Sequence, residues 1–505
     1  MSEPGKADRA REDHPADVSH AARSGAVQVL TILGQAILPL AQVFVARLFG
    51  TAVFGAYQGS VALAEVLTRG GTGGADKAML RYVAAHRAAG DDAGVRSAIG
   101  TALRQCLMVG GAFALILFFG APLIARLLNE PELAISLPAM APAVLFTGLM
   151  YVLVQASLGA RVTRANFIVR GLGEPSLLLL AGLTAALFGR SLGHLATAHS
   201  VAAGCTLVLA VVVVARVFGP GQLAGSLRAP RLRGFASFSI PIGGSEMLNS
   251  VLQRADILML TAFSGAKAAG IYAAAEFLGR AVANTRYAFD SVAAPVLSEA
   301  LHRGERERLR YNLALMTRWV TSVAAPLAGL AIALRAELLG LYGQAFVAGA
   351  TAMVVLVVAH LVNSMLGLTA WLLVVGGRSR LMLLDNLVCA GLNICLGLLL
   401  IPRWHIVGTA LAVLATVTVL QVLITWQTWR ADRVHPFEWR LLKPVLAAAI
   451  MLALQTALGP LLPSPIRLPV LLVGGLATYV AALLLFGLPR EEREVLRKLR
   501  ARLRP

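Results

Sequence analysis

Long uncharged apolar runs recur along the chain and are separated by short segments that carry most of the charged residues. A helix needs about 20 apolar residues to cross the hydrocarbon core of a bilayer. Fourteen runs approach or exceed that length, so the pattern predicts an all-α polytopic membrane protein with about fourteen transmembrane helices. The predicted spans are residues 26–46, 54–72, 99–123, 136–158, 167–188, 192–215, 240–260, 270–292, 313–334, 347–375, 381–400, 406–429, 444–462 and 468–486.

The segments between the predicted spans alternate in their content of basic residues. With the N-terminus placed in the cytoplasm, the inner segments hold 31 lysines and arginines, whereas the outer connections hold 7, one in each. Such a bias follows the positive-inside rule. Both termini are therefore predicted to be cytoplasmic. Residues 1–25 are predicted to be a disordered leader, and residues 488–505 a basic amphipathic tail on the inner membrane surface.

The composition agrees with a membrane protein and excludes several other classes. Hydrophobic residues make up 57% of the 505 residues and charged residues 14%, with a mean hydropathy of +0.73. The formal charge of +19 is distributed between apolar runs instead of on one soluble face, so no nucleic-acid partner is expected. The four cysteines lie in apolar spans without partners at ligand spacing. We therefore expect no disulfide frame, metal site or cofactor.

An internal repeat organises the predicted spans. Adding 215 to the bounds of spans 1 to 6 gives the bounds of spans 7 to 12 to within a few residues. Three residue pairs correspond at the same offset: Gly50 and Gly265, Gly55 and Gly270, and Tyr57 and Tyr272. Because six helices is an even number, the two repeats are predicted to be parallel and related by an axis along the membrane normal.

The repeat predicts two lobes and an additional helix pair. The N-lobe is predicted at 26–216, a cytoplasmic linker at 217–239, the C-lobe at 240–430, and spans 13 and 14 within 431–487. Two six-helix lobes are typical of a transporter that works by alternating access, with a substrate cleft between them. Spans 13 and 14 lie outside the repeat and are expected to serve an additional purpose.

Polar side chains follow one face of the first two predicted helices of each lobe. Ionisable groups within spans usually face a water-filled cavity or one another, so these residues are candidates for binding a substrate. The candidate substrate-binding residues are Gln28, Gln35, Gln42, Gln58, Glu65, Arg69, Asn249, Gln253, Arg254, Glu276, Arg280 and Arg286. The candidates for charge pairing or ion coupling are Glu246, Asp256 and Asp290.

The spacing of the charged candidates leaves two interpretations open. Three pairs stand four residues apart and would neutralise each other along one helix: Glu65 and Arg69, Glu276 and Arg280, and Arg286 and Asp290. They are equally compatible with a cavity in which a substrate diphosphate competes for an arginine that a carboxylate holds in place. Five other charged residues near the predicted inner face are interpreted as snorkelling to the membrane surface: Arg104, Arg170, Glu174, Arg318 and Asp385.

Several short motifs are similar to those of a known transporter family. They are ARLFGTAVFGAY at 46–57, RYVA at 81–84, RADILML at 254–260 with the following GIYAAAE, and IPRWHIVGTALA at 401–412. With them, the chain resembles the polysaccharide biosynthesis family of Wzx-type flippases, part of the multidrug/oligosaccharidyl-lipid/polysaccharide exporter (MOP) superfamily. The resemblance covers roughly residues 25–435.

The resemblance implies a specific activity. It implies a carrier that moves an undecaprenyl-diphosphate-linked glycan from the cytoplasmic to the periplasmic leaflet of a bacterial inner membrane. The implied partners are the lipid-linked glycan, membrane lipids, and polysaccharide polymerase and chain-length machinery. In such carriers a cationic cavity takes the headgroup, and Arg69, Arg254, Arg280 and Arg286 are best placed to match it. Spans 13 and 14 correspond, by position only, to the helix pair that holds the lipid tail in related lipid II flippases.

Two alternative functions compete with the flippase. A cation-coupled multidrug antiporter of the same superfamily would be expected to have an acidic residue in its first helix, and span 1 has none. Glu246 and Asp256 in span 7 keep that alternative open. A membrane glycan polymerase or ligase needs a catalytic acid or base on a substantial loop. The predicted connections are all short, so no enzymatic activity is expected.

Overall fold

The protein is almost entirely helical in the part that the structure describes. The structure, a computed structural model, describes residues 37–487, and no β-strand occurs among them. Its α-helices are α1 (Ile37–Gly71), α2 (Ala75–Ala88), α3 (Asp92–Leu127), α4 (Leu133–Gly159), α5 (Thr163–Asn166), α6 (Glu174–Phe188), α7 (Leu192–Phe218), α8 (Pro220–Ser226), α9 (Phe235–His302), α10 (Arg306–Ala333), α11 (Arg335–Tyr342), α12 (Ala350–Leu366), α13 (Thr369–Val375), α14 (Ser379–Asp432), α15 (Leu442–Leu458) and α16 (Ser464–Leu485). A π-helix at Phe167–Gly173 joins α5 to α6, and 3₁₀ turns occupy Gln344–Gly349, Trp439–Leu441 and Gly459–Leu461.

The polytopic helical prediction is confirmed. Eleven helical segments among the described residues are long and apolar enough to cross a membrane. In three of the long helices one residue departs from helical geometry, and each departure lies between two predicted spans: Gly50 in α1, Gly265 in α9 and His405 in α14. The total of fourteen spans and the parallel repeat remain predictions.

Gly50 and Gly265 form the same kind of kink. Gly50 has φ 79° and ψ 175°, and Gly265 has φ 80° and ψ 170°. This backbone region is accessible to glycine and strained for residues with a Cβ. Five residues after each kink, Gly55 and Gly270 allow two helical segments to touch. A Cβ on Gly55 would overlap the carbonyl oxygen of Ala266, and one on Gly270 would overlap that of Thr51.

The chain divides into two compact units, Met1–Gly270 and Ile271–Pro505. In its described part, the first unit comprises α1 to α8 and the beginning of α9, so predicted span 7 packs with α1 to α3. Gln105 in α3 donates from its Nε2 to the carbonyl of Gly73 and to the Oγ of Ser239 in α9, both at 2.8 Å. The core of this unit contains Met79, Ile99 and Met150 from three different helices.

In the second unit, the last two helices pack against α10. Gly329 of α10 lies so close to α15 that an added Cβ would fall 2.5 Å from the Cε of Met451. Tyr479 of α16 donates its hydroxyl to the carbonyl of Ser322 at 2.8 Å. A second core joins α9, α10 and α13 through Leu297, Leu313 and Leu372. The helices that correspond to predicted spans 13 and 14 are therefore an integral layer of this unit.

Candidate functional site

A group of charged and aromatic side chains forms within the first unit. We call it the Glu65 group: Glu65 and Arg69 from α1, Tyr151 from α4, Arg170 from the π-helix, Glu174 from α6 and Arg254 from α9. All six side chains belong to predicted spans and all are partly buried. Four separate segments of the chain thus bring ionisable groups to one place, an arrangement that is expensive within a membrane and usually serves a function.

Glu65 and Arg254 form an ion pair between α1 and α9. The Nη2 of Arg254 donates to the Oε2 of Glu65 across 189 residues of sequence. The two side chains are 33% and 26% exposed respectively, so the pair is neither fully screened by solvent nor fully desolvated. The expected partner of Glu65 along the same helix was Arg69. The structure instead connects Glu65 to the predicted substrate-binding residue of another helix.

Arg69 and Arg170 both lie over the ring of Tyr151. Their guanidinium carbons are 5.0 Å and 4.8 Å from the ring centroid, within the range of a cation–π contact. Within residues 37–487 neither arginine forms a direct ion pair, and the buried Nε of Arg170 has no hydrogen-bond partner. Glu174 lies close enough to Arg170, Arg69 and Glu65 to interact with them electrostatically. Two guanidinium groups therefore contact one aromatic ring, and both have N–H donors that remain available for hydrogen bonds.

Arg170 lies in the π-helix, which ends just before Pro175. Pro175 has no N–H to donate to the carbonyl of Gly171. The N–H of Glu174 donates to the carbonyl of Val169, five residues earlier. Such local widening of a helix is rare and often marks a functional site. Hydropathy alone did not indicate this feature, although Pro175 within an apolar run was a visible signal for an interrupted hydrogen-bond ladder.

A second group of charges, the Glu276 group, lies in the second unit. Glu276 accepts from the Nε of Arg280 at 2.8 Å, so the predicted pairing along α9 is present here. Its other oxygen lies 3.2 Å from the Nε2 of His360 in α12, a partner that the sequence did not indicate. Arg286 donates to the carbonyl of Gly367 at 3.0 Å, and Asp290 accepts from the indole N–H of Trp371 at 3.0 Å. Arg286 and Asp290 are thus each bonded to a residue outside α9.

The remaining candidates are distributed more widely. Gln58 donates from its Nε2 to the Oε1 of Gln42 at 2.6 Å, so two predicted residues on either side of the Gly50 kink meet. Asn249 and Gln253 are exposed on α9. Glu246 lies 3.9 Å from Lys77 of α2, and the carboxylate of Asp256 accepts from the N–H of Ile257. Gln28 and Gln35 lie outside the described residues.

Two of the residues interpreted as snorkelling have partners elsewhere in the chain. Arg318 is 4% exposed and lies 3.8 Å from Glu438, and Asp385 is 5% exposed and accepts from Gln427 at 2.8 Å. Both are therefore bonded within the second unit, and the snorkelling interpretation remains a prediction. Short-range sequence context did not show these partners, since each lies more than 40 residues away.

Comparison with known proteins gives a family match and several structural matches. The profile of the family described as "Polysaccharide biosynthesis protein" matches residues 21–301, slightly more than half of the chain. A structure described as lipid II flippase MurJ in an inward closed conformation has a TM-score of 0.71 at 13% identity. That match covers 91% of this chain and 98% of that chain. No curated protein matches the chain significantly.

Two further solved structures show the same fold. An inward-facing multidrug resistance MATE family transporter of the MOP superfamily has a TM-score of 0.58 at 12% identity, covering 84% of this chain and 96% of that chain. A MOP superfamily transporter from Pyrococcus furiosus has a TM-score of 0.59 at 13% identity, covering 82% and 95%. At these identities the similarity establishes the fold that is common to flippases and multidrug transporters.

Proposed function

Because the chain belongs to the polysaccharide biosynthesis protein family, we propose that it is a flippase for a polyprenyl-diphosphate-linked oligosaccharide. The protein has the fold of MOP superfamily transporters, and the structures that it matches are of transporters, not enzymes. In this proposal it carries the glycan from the inner to the outer leaflet of a bacterial cytoplasmic membrane by alternating access. Polysaccharide polymerase and chain-length machinery, which use the product, are the implied protein partners.

The observation that carries the proposal is the pair of arginines on Tyr151. Both guanidinium carbons are within 5.0 Å of one ring centroid. The two cations therefore lie within about 10 Å of each other, about one Debye length at 0.1 M salt, and repel. The ring face offsets part of that repulsion. A diphosphate, which offers several oxygens to two planar guanidinium groups, would relieve the rest through charge-assisted hydrogen bonds.

The ion pair of Glu65 and Arg254 gives the group a third arginine that is already oriented. A carboxylate holds Arg254 in place without substrate, and a phosphate of higher charge can compete for the same guanidinium donors. The group contains three arginines and two carboxylates, so it has a net positive charge suited to an anionic headgroup. In the proposal Glu65 positions Arg254, and Arg69 and Arg170 contact the diphosphate.

The neutral amides are proposed to serve the sugar. An amide side chain offers both a donor and an acceptor, as sugar hydroxyls do. Gln42 and Gln58 are bonded to each other at 2.6 Å and would exchange that bond for bonds to hydroxyls. Asn249 and Gln253 expose their amides on α9.

The decisive experiment measures lipid transfer in liposomes that contain the purified protein. The substrate is a fluorescent polyprenyl-diphosphate oligosaccharide, and transfer is followed by quenching from one side of the membrane. Arg69→Gln and Arg170→Gln should each lower the rate about tenfold to hundredfold, as expected for the loss of a charged hydrogen-bond donor. Arg164→Gln, at an exposed arginine in α5, is the matched control and should transfer at the unmodified rate.

The outcome that would overturn the proposal is equally specific. Wild-type transfer by a folded Arg69→Gln, Arg170→Gln double variant would remove the diphosphate site from the Glu65 group. If the unmodified protein transferred no lipid but moved a cationic dye against an ion gradient, the antiporter alternative would replace the flippase. Size-exclusion profiles and unfolding temperatures of each variant separate loss of function from loss of fold.

A further inference from the structure

An apolar groove with an aromatic rim lies at the C-terminal end of α14, which the charge distribution assigns to the cytoplasm. We call it the Trp426 groove, lined by Leu366, Val422, Trp426, Trp429, His435 and Phe437. Its volume is about 380 Å³. A second recess of about 460 Å³ shares Val422 and Trp426 and extends it along α14 past Val419. The two together form a continuous apolar track along the helix that lies within the second unit.

The groove has the composition of a membrane interface. Trp426, Trp429 and Phe437 are each roughly half exposed, and indole rings favour the headgroup level of a bilayer. Trp439, just beyond the groove, is still more exposed. The aromatic side chains thus mark the level at which the acyl chain of a lipid would enter the groove. The headgroup of that lipid would lie on the cytoplasmic side of the rings.

Two arginines stand at the mouth of the groove. The guanidinium of Arg430 lies 5.6 Å from the ring centroid of Trp426, and that of Arg433 lies 5.4 Å from Trp429. Arg433 has φ 57°, so the chain turns sharply at the end of α14. Both cations stack on the rings that form the groove wall, so the apolar track and the positive charge belong to one surface.

The neighbouring carboxylates are already engaged elsewhere. Asp432 accepts two hydrogen bonds from Arg378, at 2.7 Å and 3.0 Å, and Glu438 lies 3.8 Å from Arg318. Across the described range, neither Arg430 nor Arg433 has a carboxylate partner. The mouth of the groove therefore has a local excess of positive charge that the protein itself does not neutralise.

His435 adds a polar group inside the groove. Its Nδ1 is buried and has no hydrogen-bond partner in the described part of the chain, although a buried polar atom without a partner is unfavourable. The ring packs near Phe437, with the two centroids 6.2 Å apart. A phosphate or glycerol oxygen at the mouth of the groove would supply the missing partner.

We propose that the Trp426 groove binds an anionic phospholipid of the inner leaflet. One acyl chain lies along Val422 and Trp426, and the phosphate stands opposite Arg430 and Arg433, near His435. Charge complementarity selects the occupant, since anionic lipids are attracted to basic clusters at the cytoplasmic surface. The site takes a resident lipid in the second unit. It is separate from the Glu65 group and independent of the substrate proposed above.

Native mass spectrometry of the full-length protein tests the proposal. The protein is released from detergent that contains equal amounts of phosphatidylglycerol and phosphatidylcholine, and the ratio of the two bound lipids is measured. The unmodified protein should retain more phosphatidylglycerol. Arg430→Gln and Arg433→Gln should each lower its affinity roughly fivefold, the effect of one interfacial cation facing an anionic lipid. Trp426→Leu should weaken binding of both lipids.

Two controls make the result specific to the groove. Arg164→Gln removes an exposed arginine from the same predicted side of the membrane, and Trp404→Leu removes an exposed tryptophan next to the His405 kink, at the predicted outer turn within α14. Both should leave the lipid ratio unchanged. The proposal is overturned if the unmodified protein shows no preference, if the preference persists in the Arg430→Gln, Arg433→Gln double variant, or if Arg164→Gln abolishes it equally. Because a ratio is measured, partial loss of folded protein does not obscure the answer.

Discussion

The Glu65 group and the Glu276 group contain similar residues but use them differently. In the Glu65 group the ion pair joins two helices, and two further arginines contact only an aromatic face and nearby charge. In the Glu276 group the carboxylate holds Arg280 and His360, and Arg286 is bonded to a backbone carbonyl. The first group keeps donor capacity for an anion. In the second, each charged side chain has at least one hydrogen-bond partner among the described residues, although the buried Nε of Arg286 has none, so we infer a mainly positioning role for it.

The charge balance differs between the groups as well. The Glu65 group has three arginines for two carboxylates, whereas the Glu276 group has two of each and a histidine. At the predicted offset of 215, Glu65 corresponds to Arg280, and Arg170 corresponds to Asp385. In the predicted repeat, these equivalent positions therefore carry opposite charges. A duplicated architecture therefore does not require two equivalent anion sites.

The largest expected effect is an asymmetry in transport. Replacing both Arg69 and Arg170 by glutamine should lower the rate of lipid-linked oligosaccharide transfer by about a hundredfold or more. Replacing both Arg280 and Arg286 should lower it by less than about tenfold, because they are bonded to Glu276 and Gly367 and we infer that they position α9. Transfer rates in liposomes with equal amounts of folded protein measure both. Equal losses of transfer rate in the two double variants would show that the two groups do not differ in their role in transport.

The kinks that precede the two groups should respond alike. Gly50→Ala and Gly265→Ala should each destabilise the protein by about 1–3 kcal/mol, because both residues hold a backbone conformation that strains other residues. Gly111→Ala is the control, since Gly111 lies within α3 with open space around it. Unfolding midpoints in detergent measure the effect. If Gly111→Ala lowered the unfolding midpoint as much as Gly50→Ala, the backbone conformation at Gly50 would not be the cause of the destabilisation.

The Glu65–Arg254 pair offers a smaller and more specific test. Arg254→Ala leaves a partly buried carboxylate without its partner and should lower stability by about 1–2 kcal/mol, a value between those of exposed and buried pairs. Adding Glu65→Gln removes the uncompensated charge and should restore much of the loss. The two variants are compared by thermal unfolding. If Glu65→Gln lowers the stability of the Arg254→Ala variant further, the two side chains are not coupled as the structure indicates.

The smallest effect is expected at Arg280. Arg280→Ala leaves Glu276 bonded to His360, so the carboxylate retains a partner and the loss should be about 0.5 kcal/mol. His360→Ala with Arg280→Ala should lower stability by more than the separate changes combined, because it removes both partners of Glu276. If the loss of stability in the double variant equals the sum of the two single losses, Arg280 and His360 are not redundant partners of Glu276.

The sequence indicated the helices and many of the polar residues, but few of their partners. Span positions follow from apolar length, which is a local property, and the charged residues of α1 and α9 interrupt that pattern visibly. The partner of Glu65 lies 189 residues away, beyond any spacing rule for one helix. Arg170 was interpreted as snorkelling because it lies near the inner end of its predicted span. His360 was missed because nothing in its own span indicated Glu276 as a partner.

The division at Gly270 falls inside α9 and not in the connection at 217–239, and this affects how the protein can be dissected. A fragment that ends in that connection loses Arg254 as the partner of Glu65 and Ser239 as the partner of Gln105. A fragment that continues to residue 270 keeps both. Halves expressed separately and cut at the connection would therefore have to reassemble by inserting a helix into an unfinished bundle. Complementation should be more efficient from a cut placed at residue 270 than from one in the connection.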